Sequence, residues 1–319
     1  MQFRTEVEIP LSDKKITLGD SSFFIGSCFA TEIANLMASG QMKTLCNPFG
    51  TIFNPYSINY ALKRLHSGEP YTEADLINYG GAFISLDHYS GFNTPYAHKT
   101  LAKINEKLEE ANFFLQKTQW VVITYSTSFI YEFLPQDKRV ANCHKIPQKF
   151  FTKRLLTTQE IITSIKESIA LIKDICKAEV QILFSLSPVR HTKDGFPENQ
   201  WSKARLLNAL HEAIDDEVNC HYLPIYELMM DELRDYRFYK EDMIHPTQQA
   251  VHYIFEKFGN AYFSDEVKAF IADNFKILQS LNHRPNDEKS PQYIEFRERL
   301  RQKIAEQQKK VKHRIFTQY

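Results

Sequence analysis

Phe23-Phe24-Ile25-Gly26-Ser27-Cys28-Phe29-Ala30 decides the fold. An apolar run stops at Gly26, and helical spacing takes over at Ala30, Ile33, Ala34 and Met37. This is the pattern of a buried strand, a tight turn and a helix. The turn sets Cys28 at the mouth of a helix, where unpaired backbone N–H groups and the helix dipole favour negative charge. A thiol there is expected to have a lowered pKa and to be a good nucleophile.

The same alternation continues outward. Residues 120–125 read as a buried strand and 180–185 as another. Thr157-Thr158-Gln159-Glu160 is a capping box that opens a helix with Ile161, Ile165, Ile169, Ile172 and Cys176 on one face. Strand, helix, strand in succession implies right-handed parallel crossovers. The predicted fold class is therefore α/β, a three-layer α/β/α sandwich around a mostly parallel sheet. Sites in such sheets lie beyond the carboxyl ends of the strands. Cys28, Gly50, the stretch 126–128 and Ser187-Pro188-Val189-Arg190 each follow a predicted strand, so they are expected to converge.

Between these landmarks the pattern predicts a strand at 42–46, ending in Asn47-Pro48-Phe49-Gly50, and a helix at 56–65. Residues 68–98, rich in Gly, Asn, Tyr and Pro, read as an irregular excursion with a strand at 82–86. An amphipathic helix is predicted at 99–116, a hairpin from 129–133 and 139–141, and a helix at 201–217. A weaker strand is placed at 222–226. One long helix is placed at 247–273, with Pro246 at its entrance holding His245 outside the helix. The expected organisation is one domain over 1–275 and, over 276–319, a linker (283–291) and a charged helix (292–315). That helix reads as a docked or partner-binding helix, with an anionic-surface anchor as the alternative.

The chain has 319 residues, 43% hydrophobic and 24% charged, with 39 basic and 39 acidic side chains. That balance argues against nucleic acid as a partner of the whole molecule. No stretch approaches about 18 uninterrupted apolar residues, so no membrane span is predicted. The opening MQFRTEVEIPLSDKK has no apolar core of a secretory signal. Cysteines 28, 46, 143, 176 and 220 include no C-x-x-C pair, which fits reduced thiols and a cytoplasmic setting. Asn142-Cys143-His144-Lys145 lacks the second ligand pair of a zinc site, and neither a metal nor another cofactor is expected.

Several motifs together resemble one family. Gly26-Ser27-Cys28-Phe29-Ala30 spells GSCFA, the motif that names the GSCFA-domain family of bacterial proteins. Asn142-Cys143-His144-Lys145 with Pro147, and Ser187-Pro188-Val189-Arg190-His191, add to the match. So does Asp231-Glu232-Leu233-Arg234-Asp235-Tyr236-Arg237-Phe238-Tyr239 leading into Asp242 and His245-Pro246. The resemblance spans roughly residues 20–260. It implies a branch of the SGNH/GDSL hydrolases, with a flavodoxin-like sheet and activity on esters. Laid on the Gly-Asp-Ser turn of those enzymes, Gly26 stands for Gly, Ser27 for Asp and Cys28 for the nucleophilic Ser. Ser27, one residue away, is the rival nucleophile.

His245 is the expected base, taking the thiol proton and returning it to the leaving group, a role typically worth about 10²–10⁴-fold in rate. Asp242 would fix its tautomer. An oxyanion hole needs preorganised donors. The Cys28 N–H is available by position, and Gly50 resembles the second-block glycine. The Asn of the Gly-x-Asn-Asp block is absent, since Tyr125-Ser126-Thr127-Ser128 stands there. Thr127, Asn142 or His144 is expected to substitute. Arg190 and His191 are placed to hold a carboxylate or phosphate of the substrate, or else to form a structural ion pair. Asp87-His88-Tyr89-Ser90 is expected to line a lid.

The leading functional expectation is an ester or thioester hydrolase, or an acyltransferase, acting on a small-molecule or carbohydrate acyl ester through a Cys28 acyl-enzyme. A non-catalytic ligand-binding module on the same fold, or a scaffold using its C-terminal helix, are the alternatives. The oligomeric state is not legible in the sequence.

Overall fold

The central strands are buried along their whole length, and alternate side chains pack on opposite faces of the sheet. The computed structural model describes residues 4–177, 179–283 and 289–317. Its chain opens with strand β1 (Ser21–Gly26), helix α1 (Cys28–Ser39), strand β2 (Lys43–Cys46) and helix α2 (Pro55–Ser67). A small hairpin follows, β3 (Ile77–Tyr79) with β4 (Ala82–Ile84), then helix α3 (Ala97–Leu115) and strand β5 (Trp120–Tyr125). Strands β6 (Phe129–Phe133), β7 (Lys138–Val140) and β8 (Phe151–Leu155) form an antiparallel sheet in the order β7-β6-β8. Next come helix α4 (Thr158–Ile175), strand β9 (Gln181–Leu186), helix α5 (Phe196–Ile214) and strand β10 (Cys220–Tyr222). A short turn α6 (Ile225–Glu227) runs into a π-helical turn at Leu228–Glu232. Helices α7 (Gln248–Tyr262), α8 (Asp265–Leu281) and α9 (Pro291–Gln308) complete the described chain.

The main sheet has five strands, all parallel, in the order β10-β9-β5-β1-β2. This is the doubly wound, flavodoxin-like order, and its switch point lies between β1 and β5. Phe23, Ile25, Val121, Ile123, Ile182 and Phe184 pack on one face with α2 to α5. Phe24, Trp120, Val122 and Leu183 pack on the other with α1, α7 and α8. The three-layer α/β/α sandwich expected from the sequence is the fold found. A separate small core around Ile84, Leu86, Phe133 and Phe151 joins the 68–98 excursion to the antiparallel sheet.

Several local expectations are corrected. The last strand of the main sheet is Cys220–Tyr222 rather than 222–226, because Pro224 ends it and residues from Ile225 turn helical. The helix expected over 247–273 is two helices. Residue Ile16 pairs with Phe263 between them, its N–H donating to the Tyr262 carbonyl and its carbonyl accepting from Ser264. Ser264 then caps α8 by accepting from Val267. Strand β8 was not anticipated. The position 275/276 lies inside α8. Of the 283–291 linker, residues 284–288 lie outside the described residues. Beyond α9, the chain returns to the core: Val311, Ile315 and Phe316 are buried with Leu300. His313 Nε2 meets the Gln41 carbonyl at 2.8 Å, and the Phe316 N–H donates to Gln41 Oε1. Among the described residues, no helix is long and apolar enough to cross a membrane.

Candidate active site

The turn after β1 is built for close approach. Gly26 has φ +140°, and a Cβ there would lie 2.3 Å from the Thr124 carbonyl oxygen, so no side chain fits. Its N–H donates to Asn47 Oδ1 at 2.8 Å, and Asn47 Nδ2 donates to Thr31 Oγ1 at 2.9 Å. Asn47 thus ties the turn to the first helical turn behind it. Ser27 is fully buried and is the N-cap of α1, its Oγ accepting from the Phe29 N–H. Cys28 is the first residue of α1 and is partly buried.

The expectation of a lowered Cys28 pKa is corrected. The N–H groups of Cys28 and Phe29 and the Lys240 ammonium do favour the thiolate, but burial outweighs them and Glu32 adds to it, so the thiol lies above its ordinary value. Glu32 and Lys240 face each other at 3.7 Å.

His245 stands in a tightly braced loop. The Lys240 N–H donates to the His245 carbonyl, and the Thr247 N–H to that of Phe238, both at 2.8 Å. Asp242 Oδ1 accepts from the N–H groups of Ile244 and His245, and Oδ2 lies 2.7 Å from His245 Nδ1. These bonds hold the Asp242 carboxyl down at about 2, with the His245 N–H the largest cause. An ionised carboxylate can only accept, so Nδ1 carries the proton and Nε2 of the neutral ring is the basic nitrogen. Both side chains are about two-fifths exposed, at 42% and 45%. Among the described residues no hydrogen bond joins Cys28 Sγ to His245.

The strand registers bring the carboxyl ends of β1, β5 and β9 side by side. Gly26 pairs with Thr124, and Tyr125 with Leu186. Cys28 and Ser126 each lie two residues past the first pair, and Ser126 and Ser187 one residue past the second. Ser126 Oγ lies 2.6 Å from His191 Nε2. Burial, with Lys203 next, holds His191 down to about 4, so it is neutral. Lys203 is fully buried at the ends of β5 and β9, its Nζ donating to the carbonyls of Ser187 at 2.7 Å and Ser126 at 3.2 Å. Burial pushes its pKa down to about 7, while Cys28 acts in the opposite direction. Lys203 also borders a cavity of about 180 Å³ together with Arg190, Phe196, Tyr226 and Tyr236.

The sequence pointed to Ser126 only as part of the stretch 126–128, and Lys203 was not singled out. Lys203 had a legible signal: it stands three residues before Leu206 on the buried stripe of α5 that continues through Leu210 and Ala213. A lysine on an apolar stripe has to find buried acceptors.

Other expected site residues have different employment. The Gly50 N–H donates to the Asn47 carbonyl, and its Cα faces the Tyr89 side chain, whose ring lies 2.5 Å from where a Cβ would stand. It is a turn glycine with no N–H to spare, which corrects its reading as an oxyanion donor. Thr127 Oγ1 is bound to Ser202 Oγ and to the Phe129 N–H, so its hydroxyl does not stand in for the missing Asn. Asn142 and His144 anchor the excursion instead. His144 Nε2 meets the Ser85 carbonyl and Nδ1 meets Asn93, while Asn142 Oδ1 accepts from the His144 N–H. Arg190 stacks over the Tyr239 ring at 4.2 Å and its N–H donates to the Ile244 carbonyl. It clamps the His245 loop and makes no ion pair among the described residues. His88 is buried between Phe49, Tyr71 and Phe92, and Asp87 is paired with Lys138 at 2.8 Å. All five cysteines are free. Among the described residues, no cluster of His, Cys, Asp or Glu is arranged to hold a metal ion.

A family model described as the GSCFA family matches residues 21–258. No curated protein matches the chain significantly. Among solved structures, a family 3 carbohydrate esterase of Clostridium thermocellum aligns with a TM-score of 0.37 and 8% identity, over 79% of this chain and 99% of the other. A DUF4886 family protein of Bacteroides uniformis aligns with a TM-score of 0.38 and 11% identity, over 84% and 97% of the two chains.

Proposed function

The chain belongs to the GSCFA family, and from that premise and its geometry we propose an ester or thioester hydrolase or acyltransferase of the SGNH type that works through a Cys28 acyl-enzyme. The observation that carries this reading is the position of Cys28. It is the first residue of α1, beside the switch point of a doubly wound sheet, with an Asp242-oriented histidine in a braced loop.

In this reading the Cys28 sulfur attacks the acyl carbon. The C–S bond forms as the bond to the leaving oxygen or sulfur breaks, and the leaving group takes a proton. His245 Nε2 carries that proton. It then takes one from the water or acceptor that attacks the thioester, and Asp242 keeps Nδ1 protonated throughout. The Cys28 N–H at the start of α1 is assigned as a donor to the developing oxyanion, since those of Phe29 and Ala30 are bonded to Ser27. Ser27 is assigned the cap: it is fully buried and its Oγ is committed to Phe29. A thioester passes readily to an alcohol or amine, so transfer and hydrolysis remain joint outcomes of one intermediate.

A ligand-binding module on the same fold is favoured by one observation. Thr127, Asn142 and His144 are all engaged elsewhere, so none replaces the missing Asn donor.

Intact-protein mass spectrometry after exposure to a panel of activated acyl esters and thioesters separates the readings. An adduct present in wild type and in Ser27→Ala but lost in Cys28→Ala supports the acyl-enzyme. An adduct lost only in Ser27→Ala moves the nucleophile, and a folded protein that gives none supports binding without catalysis.

A further inference from the structure

We propose that the cavity between the end of β9, the start of α5 and the turn at Tyr236 is a subsite for an oxyanion, carboxylate or phosphate, carried on a ring of the substrate, and that Arg190 selects it. The proposal rests on the hydrolase or acyltransferase reading of the site and adds the chemical class of what is bound there.

The cavity, about 180 Å³, is smaller than the roughly 300–1,000 Å³ of a whole small-molecule site. It therefore takes one group of a larger molecule. It adjoins the loop that carries His245. The Arg190 N–H donates to the Ile244 carbonyl, and Arg190 Nη1 reaches the Met243 carbonyl at 3.5 Å. Tyr239, whose ring lies 4.2 Å from the Arg190 guanidinium, pairs with Pro246, the residue after His245. On the other side the cavity is bordered by Lys203, whose amine is bonded to Ser126 and Ser187 just past β5 and β9. The crevice beyond the carboxyl ends of the strands is where a doubly wound sheet takes its ligands.

The lining is rich in donors and poor in acceptors. Among the described residues no Asp or Glu borders the cavity. Asn199 borders it and is only 4% exposed. Its Oδ1 is committed to the His191 N–H at 2.9 Å, and no described residue accepts from its Nδ2. Gln200 repeats the arrangement: its Oε1 accepts from the Tyr226 hydroxyl at 3.0 Å, and among the described residues nothing accepts from its Nε2. Lys203 is 2% exposed and has no carboxylate partner among the described residues. Buried donors without acceptors are costly, and an oxyanion supplies acceptors. The planar fork of Arg190, which is in no ion pair among the described residues, matches the edge of a carboxylate or phosphate. Phe196, Asn199 and Gln200 also belong to the first turns of α5, the end of a helix that favours negative charge. Glu198 of the same turn lies against Gly195. Asp194 is paired with Lys153, and Glu227 accepts from the Tyr222 hydroxyl.

The remaining walls are rings. Tyr226 lies 5.3 Å from Lys203 Nζ, and Tyr236 5.6 Å from the Arg190 guanidinium. Tyr236 is 67% exposed and Phe196 62%, so both offer unpacked faces at the rim. A ring stacks on such faces. His191, the other residue expected to hold an anion, is neutral and has its Nε2 occupied by Ser126, so the anion falls to Arg190.

Fluorine NMR of para-fluorobenzoate, para-fluorophenyl phosphate and para-fluorobenzamide titrated into the full-length protein tests the subsite. One or both anions are expected to bind at least about tenfold tighter than the amide, which keeps the ring without the charge. The tighter anion identifies the group as carboxylate or phosphate. Arg190→Gln is expected to bring the anions down to the level of the amide. Equal binding of anions and amide, binding of none of them, or unchanged anion binding in a folded Arg190→Gln overturns the proposal. Should that variant not fold, Tyr236→Ala removes an exposed ring and is expected to weaken anion binding about threefold or more, and unchanged binding overturns the proposal. None of these measurements involves acyl transfer. Anion binding without acyl adducts refutes the acyl-enzyme reading alone, and adducts without any anion preference refute the subsite alone.

Discussion

Replacing Asn47 by Ala should loosen the turn that carries Cys28. Three contributions can be read off the structure. The Gly26 N–H, buried in the turn, loses its acceptor Asn47 Oδ1, and an orphaned buried donor costs about 1–3 kcal/mol. Asn47 sits at φ +45°, a left-handed conformation that asparagine tolerates and that costs alanine about 1 kcal/mol. The bond from Nδ2 to Thr31 Oγ1 is also lost, worth about 0.5–1.5 kcal/mol. These share one side chain and do not add fully, so the expected loss is about 2–4 kcal/mol. Urea unfolding followed by circular dichroism gives the midpoint, and iodoacetamide mapping of Cys28 reports the turn itself. Asn47→Asp keeps the acceptor for Gly26 and should recover about half of the loss. An Asn47→Ala protein within about 0.5 kcal/mol of wild type would refute the claim that this side chain holds the turn in place.

Two further perturbations test other parts of the account. Burial holds His88 down to about 3 and His191 down to about 4. Unfolded, both would titrate near 6.5, so between about 6.5 and 4 the unfolded chain binds more protons and stability falls as the pH falls, by a few kcal/mol in all. Urea midpoints at pH 7 and 4.5 should therefore differ less in His88→Phe than in wild type, and an equal difference would count against this origin. Truncation after residue 283 removes Leu300, Val311, Ile315 and Phe316 from the core against α1 and α8. At about 1.5–3 kcal/mol per buried side chain, less the ordering entropy regained, the melting temperature should drop clearly, and an unchanged melting temperature would make the tail an appendage.

The sequence was most legible where one local signal sufficed. The strand expected at 120–125 is β5 to the residue, and the Thr157/Glu160 capping box is present with both of its bonds. It was least legible where a distant segment decides the outcome. The break between α7 and α8 depends on Ile16, nearly the whole chain away, which takes the place of helical partners at the Tyr262 carbonyl and the Ser264 N–H. The Cys28 thiol is the instructive case at the site. The amides at the start of α1 act on it in the expected direction, yet burial is the larger influence and reverses the sign. Position on a helix is written in the local pattern, while burial depends on what the rest of the chain lays over it. Gly50 shows the same limit, because its close neighbour is the Tyr89 ring rather than a ligand.

The absence of the Gly-x-Asn-Asp asparagine and the presence of Lys203 are one structural fact. Two consecutive residues of α5 close the polar ends of β5 and β9. Ser202 Oγ takes the Ser128 N–H and meets Thr127 Oγ1, while Lys203 Nζ takes the carbonyls of Ser126 and Ser187. An asparagine amide projecting from the end of β5 would have to displace bonds that already satisfy this edge. What stands there instead is a buried amine, held by those two carbonyls and pushed down to about 7 by burial.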